Sequence, residues 1–240
     1  MHYYGPNMRK ILLAIILIIG ISAQGLSNTY SEIGTQYELS IDNNQYIVTG
    51  FIPFSGKTDQ TIFANAMLWT VENVCPQLRD GITNVNVPKL KFSCEMILES
   101  TQGNTFYCNA SFNIVNGRLI YYISDIKAVT KSFVSKNLTP FEKLNPEKKQ
   151  NHKLLMSDFT KTISSTLNNM FDFIMTNKPN VSHWDEIAIS KPIVGMTEDE
   201  CLIAFGKPKT IFESADEVQW SYSTSFFIFL KNGKVSSFLK

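Results

Sequence analysis

Residues 89–126 read KLKFSCEMILESTQGNTFYCNASFNIVNGRLIYYISDI, and their alternation decides the fold. Leu90, Phe92, Cys94, Met96 and Leu98 alternate with Lys89, Lys91, Ser93, Glu95 and Glu99. Phe106, Cys108, Ala110, Phe112 and Ile114 do the same against Tyr107, Asn109, Ser111 and Asn113. A period of two with one apolar and one polar set predicts antiparallel strands with one buried and one wet face. Asn116-Gly117 supplies a type I′ turn, so Arg118 to Lys127 becomes the third strand of a meander. A three-residue loop, Thr101-Gln102-Gly103 with Gly103 left-handed, sets the register of the first two strands. Ser100 then opposes Asn104, Cys94 opposes Ala110 and Cys108 opposes Met96. The two thiols share a face but lie on a diagonal, so buried free thiols are expected. Cys75 and Cys201 show no partner in the sequence.

Working outward, Tyr37 to Ile41 alternates, Asp42-Asn43-Asn44 turns, and Gln45 to Phe51 resumes an extended pattern, which predicts a hairpin. Thr58 can N-cap a helix to about Val74, stopped by Pro76. Residues 139–152, rich in Pro, Lys, Glu and Asn, read as a connection over the surface. Leu155, Phe159, Ile163, Leu167, Phe171 and Ile174 then predict an amphipathic helix over about Lys153 to Thr176.

Residues 177–183 carry Lys-Pro-Asn and read as a linker to a separate tail, residues 184–240. There Thr197-x-x-Glu200 forms a capping box, Gly206 fits the position after the helix and Pro208 prevents continuation. Short strands are expected near Thr210–Glu213, Val218–Ser223, Ser225–Leu230 and Lys234–Leu239. The fold class is therefore α+β: an antiparallel sheet with two packing helices, followed by a small helix-plus-antiparallel-sheet unit.

The first 23 residues stand apart. Arg9 and Lys10 precede an apolar run, Ile11 to Ile21, broken only by Gly20, and Ser22-Ala23-Gln24-Gly25 offers a cleavage site, the layout of a secretory signal. Such a run is shorter than the roughly 20 residues of a membrane-crossing helix. Cleavage after Ala23 removes two bases and no acid, which turns the formal charge from +1 to −1. A near-neutral chain lacks the basic excess of a nucleic-acid coat, so no nucleic-acid partner is expected.

Catalytic and cofactor chemistry find little material. Ser55-Gly56-Lys57-Thr58 resembles the end of a phosphate-binding loop, but Phe51 stands where that loop needs Gly, and Pro53 removes a backbone donor. His152 and His183 lie in linker-like segments, and no Cys-x-x-Cys is present. The consecutive acids Glu198, Asp199 and Glu200 suit a helix start. No catalytic residue, metal or cofactor is expected. Asn109, Asn137 and Asn180 lie in generic glycosylation sequons.

The strand Phe226-Phe227-Ile228-Phe229-Leu230 is apolar on both faces, so something must cover the second one: the first domain, a second copy or a partner. Phe227, Phe229, Trp220 and Tyr222 are the candidate partner contacts. In a second, ligand-binding or hydrolytic reading, Tyr121, Tyr122 and Asp125 wall a site on the concave side of the meander.

Two resemblances rest on these segments. Gly195-Met196-Thr197-Glu198-Asp199-Glu200-Cys201, Phe205-Gly206-Lys207-Pro208, Gln219-Trp220-Ser221-Tyr222 and Asn232-Gly233-Lys234-Val235 together resemble the outer-membrane assembly lipoproteins of the SmpA/OmlA (BamE) type and the β-lactamase-inhibitor-protein-like fold they share. That resemblance implies action by protein–protein contact without catalysis. The tail carries no lipidation Cys, so it does not imply a membrane anchor. Thr58–Val74 with Trp69, the strand Asn116–Ile126, and Thr139-Pro140-Phe141-Glu142-Lys143-Leu144 resemble an exported bacterial family of unknown function with a TATA-box-binding-protein-like fold. The expected organisation is a signal peptide over 1–23, a TATA-box-binding-protein-like domain over 24–176, a linker over 177–183 and the small domain over 184–240. The expected function is a non-catalytic protein-binding or scaffolding module in a Gram-negative envelope, soluble in the periplasm or outside the cell. Its partner is an envelope protein or a second copy.

Overall fold

The computed structural model describes residues 36–75, 82–129 and 138–240. The expected leader over 1–23, the stop at Pro76 and the sequon at Asn137 lie outside them. Strands β1 (Gln36–Asp42) and β2 (Gln45–Pro53) form the expected hairpin. Asn43 and Asn44 both take positive φ in its two-residue turn, a conformation Asn tolerates better than most residues.

Helix α1 (Asp59–Asn73) is capped by Thr58, whose hydroxyl accepts from the Thr61 amide at 3.2 Å. Asp59 in its first turn reaches across 58 residues of chain. Its carboxylate takes the amides of Asn116 and Gly117 at 3.0 and 2.7 Å, while the Phe54 amide donates to Gly117 O at 2.7 Å. These charge-assisted bonds pin the helix start to the meander turn. Gly117 sits at φ 71, and a Cβ there would meet Phe54 O at 3.2 Å.

The meander consists of β4 (Lys91–Glu99), β5 (Thr105–Val115) and β6 (Arg118–Val129). Cys94 pairs with Ala110 and Met96 with Cys108, the register that the three-residue loop implies. All four cysteines are free and buried. Strand β3 (Ile82–Asn86) joins one side through a 3-10 turn at Val87–Lys89, and β7 (Thr139–Pro140) pairs with β6. The sheet runs β1-β2-β6-β5-β4-β3, with β7 beside it on β6.

Helix α2 (Gln150–Thr176) lies beside α1 on the same face of that sheet. Trp69 Nε1 donates to Asn169 Oδ1 at 2.7 Å between the helices. Asn104 Nδ2 donates to the buried Asp158 carboxylate at 2.7 Å, tying the β4–β5 loop to α2. Residues 139–152 differ from the expected surface connection. Phe141 is fully buried, with its ring 5.0 Å from Phe159, 6.0 Å from Tyr46 and 6.1 Å from Phe106. One aromatic anchor outweighs the polarity of the residues around it.

The tail begins with a short helix that the sequence reading does not contain, α3 (Trp184–Ile189), followed by α4 (Glu198–Phe205). Strands β8 (Thr210–Glu213), β9 (Val218–Ser221), β10 (Phe227–Lys231) and β11 (Lys234–Leu239) make a second antiparallel sheet in the order β11-β10-β9-β8. The tail packs on α1: α4 lies against it, the Trp184 ring sits 5.4 Å from Phe63, and Lys207 Nζ donates to Glu72 O at 2.7 Å. Ten successive residues of α1, Ile62 to Val71, are therefore buried, more than an amphipathic stripe would show. The chain is α+β.

Glu200 closes the tail onto the linker. Besides completing the capping box with the Thr197 amide at 2.7 Å, its buried carboxylate accepts from the Ser182 amide at 2.5 Å and the His183 amide at 2.8 Å, and lies 2.9 Å from His183 Nδ1. Burial works against its ionisation, but the bonds from Ser182, Thr197 and His183 prevail and hold the acid at about 2, below its ordinary 4.5. A depressed folded-state value means the carboxylate stabilises the fold above about pH 4.5, and that the contribution is lost as pH falls towards 2. Glu200→Gln is expected to cost about 1.5–3 kcal/mol at neutral pH and to flatten this acid limb. Urea unfolding from neutral pH down to pH 2 checks it; wild-type and variant curves running parallel would contradict it.

Candidate functional site

Because α1 and α2 occupy one face of the large sheet, the other face carries the outward residues of the alternation. Two neighbouring ladder rows cross it. One runs Thr49, Tyr122, Ser111, Ser93 and Thr83; the next runs Phe51, Ile120, Asn113, Lys91 and Asn86. Ser93 and Ser111 bond to each other at 3.0 Å, and the Arg118 guanidinium lies 5.1 Å over the Phe51 ring. The register shift between Thr83 and Asn86 leaves Asn84 out of the β3–β4 ladder at φ 52.

Thr49, Tyr122, Ser111 and Ser93 of the first row and Ile120, Asn113 and Lys91 of the second bound an open cleft of about 610 Å³, with Asn84, Asn86 and Lys89 at its β3 side. Small-molecule sites occupy roughly 300–1,000 Å³. Asn113 lines the cleft, and its Oδ1 is shut off from solvent without a hydrogen-bond partner. Such an orphaned acceptor costs about 1–3 kcal/mol.

Of the expected wall residues, Tyr122 stands on this face, 42% exposed. Tyr121 borders the cleft floor but is itself 1% exposed, since neighbouring strand residues point to opposite faces. Asp125 does not border the cleft. Asp125 and Ile126 both stand opposite Cys108, a bulge that takes Asp125 to φ 52, with its carboxylate 2.8 Å from Lys127 Nζ.

The small sheet has the same one-sided arrangement. Its inner face holds Trp220, Ile228 and Leu230, packed with Cys201, Phe205 and Met196. Tyr222 stacks on Phe226 at 4.9 Å and meets Phe205 edge-on at 5.8 Å. Trp220 and Tyr222 are thus core residues, 6% and 4% exposed, and the expectation that they contact a partner is corrected by strand parity: their side chains turn inward. Phe227 and Phe229 point the other way and are half-buried. They share ladder rows with Leu239 and Phe212, 59% and 68% exposed. Sequence reading missed Phe212 because a four-residue strand shows too little alternation to assign its faces.

The edges of this sheet differ. Residues 195–197 run along the start of β11, with the Gly195 amide donating to Val235 O at 2.9 Å and the Val235 amide to Met196 O at 2.8 Å. All four residues of β8 are exposed, and no other strand pairs its outer side among the described residues.

Ser182, His183 and Glu200 gather the residue types of a hydrolytic triad, yet Ser182 Oγ (3.3 Å) and Glu200 Oε2 (2.9 Å) both meet the same nitrogen, His183 Nδ1. A relay needs the hydroxyl on one ring nitrogen and the carboxylate on the other. His152 is occupied in a turn, with Nδ1 accepting from the Asn145 amide at 2.8 Å. Among the described residues no group of three or more His, Cys, Asp or Glu could hold a metal ion, and no helix is long and apolar enough to cross a membrane.

No protein-family model matches the chain, nor does any curated protein. Among solved structures it is similar to a TBP-like protein from Parabacteroides distasonis, with 12% identity and a TM-score of 0.48 over 58% of this chain and 99% of that one. It is also similar to a DUF4468 family protein from Bacteroides ovatus, with 11% identity and a TM-score of 0.40 over 60% of this chain and 93% of that one.

Three of the four buried cysteines are held as thiols. Burial, then the Asp125 charge, pushes the Cys108 thiol up to about 12, and burial followed by Glu200 and Glu198 does the same for Cys201. The hydrogen bond with Cys75, then burial, raises Cys94 well above its ordinary value. At about 12 rather than the ordinary 9.0, Cys108 and Cys201 carry roughly a thousandfold less thiolate. Thiol labelling with Ellman's reagent at neutral pH is expected to follow global unfolding in urea; fast labelling of any of the four in the native chain would contradict this burial.

Proposed function

We propose that the chain is a non-catalytic scaffolding module of the bacterial envelope, working after loss of the leader over 1–23, and that it assembles through the open β8 edge with a second copy of itself. The exposed β8 edge beside an apolar row is the observation that carries this reading. The leader-like N-terminus and the tail's resemblance to assembly proteins that act by contact agree with it. An unpaired edge flanked by exposed apolar side chains is a template for strand addition.

Charge favours a second copy as the occupant. The Ser214 amide donates to Glu217 O at 2.9 Å, so by antiparallel alternation the backbone groups of Ile211 and Glu213 face the open side. In a twofold antiparallel pairing centred on Ile211, each Lys209, whose own amide donates to Ser221 O at 2.8 Å, lies just beyond the shared ladder with its side chain beside the partner copy's glutamate at position 213. The two four-stranded sheets then join, and their rows of Phe212, Phe227 and Phe229 become one apolar platform. The edge of β11 offers no equivalent, because Lys234 and Lys240 at its two ends would meet like charges.

Light scattering on the full chain is expected to give a dimer at submillimolar concentration that weakens with salt. Lys209→Glu and Glu213→Lys should each shift it to monomer, and the double reversal should restore the dimer. A wild-type monomer throughout, or a dimer indifferent to both single reversals, would contradict the reading.

A further inference from the structure

The cleft lies on the large sheet, not on the small sheet that carries the β8 edge, and it has a charge and hydrogen-bonding pattern of its own. Lys89 and Lys91 border it, and none of its lining residues is acidic. The ion pairs found among the described residues are Lys127–Asp125 and His183–Glu200, so neither cleft ammonium is neutralised by one. The nearest carboxylates on the same face by register, Glu95 beyond Ser93 and Glu38 beside Thr49, fall outside the lining. One end of the cleft is therefore a cationic corner with no counter-charge of its own.

The rest is hydroxyl, amide and ring. Thr49, Tyr122, Ser111 and Ser93 place four hydroxyls in a single ladder row across three strand spacings, about 14 Å. In the neighbouring row Asn113 stands directly opposite Lys91, and its Oδ1 has no donor. The terminal amide torsion is soft, so a small rotation turns this oxygen towards a ligand. Tyr122 and Ile120, each 42% exposed, supply apolar surface in the same cleft.

These features select a ligand. Two unpaired ammonium groups call for an anionic group. An orphaned acceptor calls for a donor, which a bare carboxylate or sulfate does not have. The hydroxyl row and the exposed ring suit a molecule with many hydroxyls and one C–H face. We propose that this cleft binds an acidic saccharide, with its anionic group at Lys89 and Lys91, a sugar hydroxyl donating to Asn113, and a sugar ring against Tyr122.

Titration calorimetry of the full chain with cellobiouronate, cellobiose and inorganic phosphate tests this. Cellobiouronate is expected to bind at least about tenfold more tightly than either of the others, the loss that follows from removing one charged hydrogen-bonding group. Lys91→Gln, an exposed change that leaves the fold intact, should erase the preference for the acidic sugar over cellobiose. Asn113→Ala should weaken both sugars and leave phosphate unchanged. Equal binding of the two sugars, phosphate binding as tightly as cellobiouronate, a preference that survives Lys91→Gln, or no binding of either sugar would each overturn the proposal. Circular dichroism of the variants separates a lost contact from a lost fold.

Discussion

The structure depends on α1 and α2 covering one face of the large sheet and, among the described residues, leaving the other uncovered. Phe92, Met96, Phe106, Phe112 and Tyr121 are shut in by that cover, and strand parity then sends Lys91, Ser93, Ser111, Asn113 and Tyr122 to the opposite side. Each fully buried aromatic contributes on the order of 2–3 kcal/mol, so a one-residue register slip, which would expose this whole set, is excluded energetically. The Asp59 clamp on Asn116 and Gly117 reinforces the register from the helix side, because a slipped turn would leave the carboxylate without its two amides. The open face and its cleft are the geometric consequence of a core filled from one side.

The tail repeats the arrangement at smaller scale and joins it to the first. Helix α4 fills the inner face of the small sheet with Cys201 and Phe205 and also packs on α1, so both sheets drain into one continuous core. Glu200 makes this joint specific. Apolar packing alone would let the linker slide, whereas a buried carboxylate fed by Ser182, His183 and Thr197 admits one arrangement, since losing a donor leaves charge uncompensated.

Long alternations were the most legible part of the sequence. The β4–β5 register, down to Cys94 opposite Ala110, follows from a three-residue loop and strict parity, and the Thr58 cap and Thr197–Glu200 box follow from local hydrogen bonding. What escaped depends on tertiary context. Phe141 sits among polar residues, and nothing local says that Phe106 and Phe159 wait for it. The six residues of α3 are too few for periodicity, and β3 is broken by its register shift. For the candidate sites, the face that a residue occupies decided the outcome. Trp220, Tyr222 and Tyr121 turned inward by parity, the bulge at Asp125 removed it from the cleft, and Phe212 and Asn113 emerged only once the strands were assembled.

The central claim, that each sheet is covered on one face and open on the other, is read most directly by hydroxyl-radical footprinting of the native chain with residue-level mass spectrometry. The account predicts rapid oxidation of Tyr122 and Phe212 alongside protection of their strand neighbours Tyr121 and Trp220. Equal protection of Tyr122 and Tyr121, or faster labelling of Trp220 than of Phe212, would contradict it.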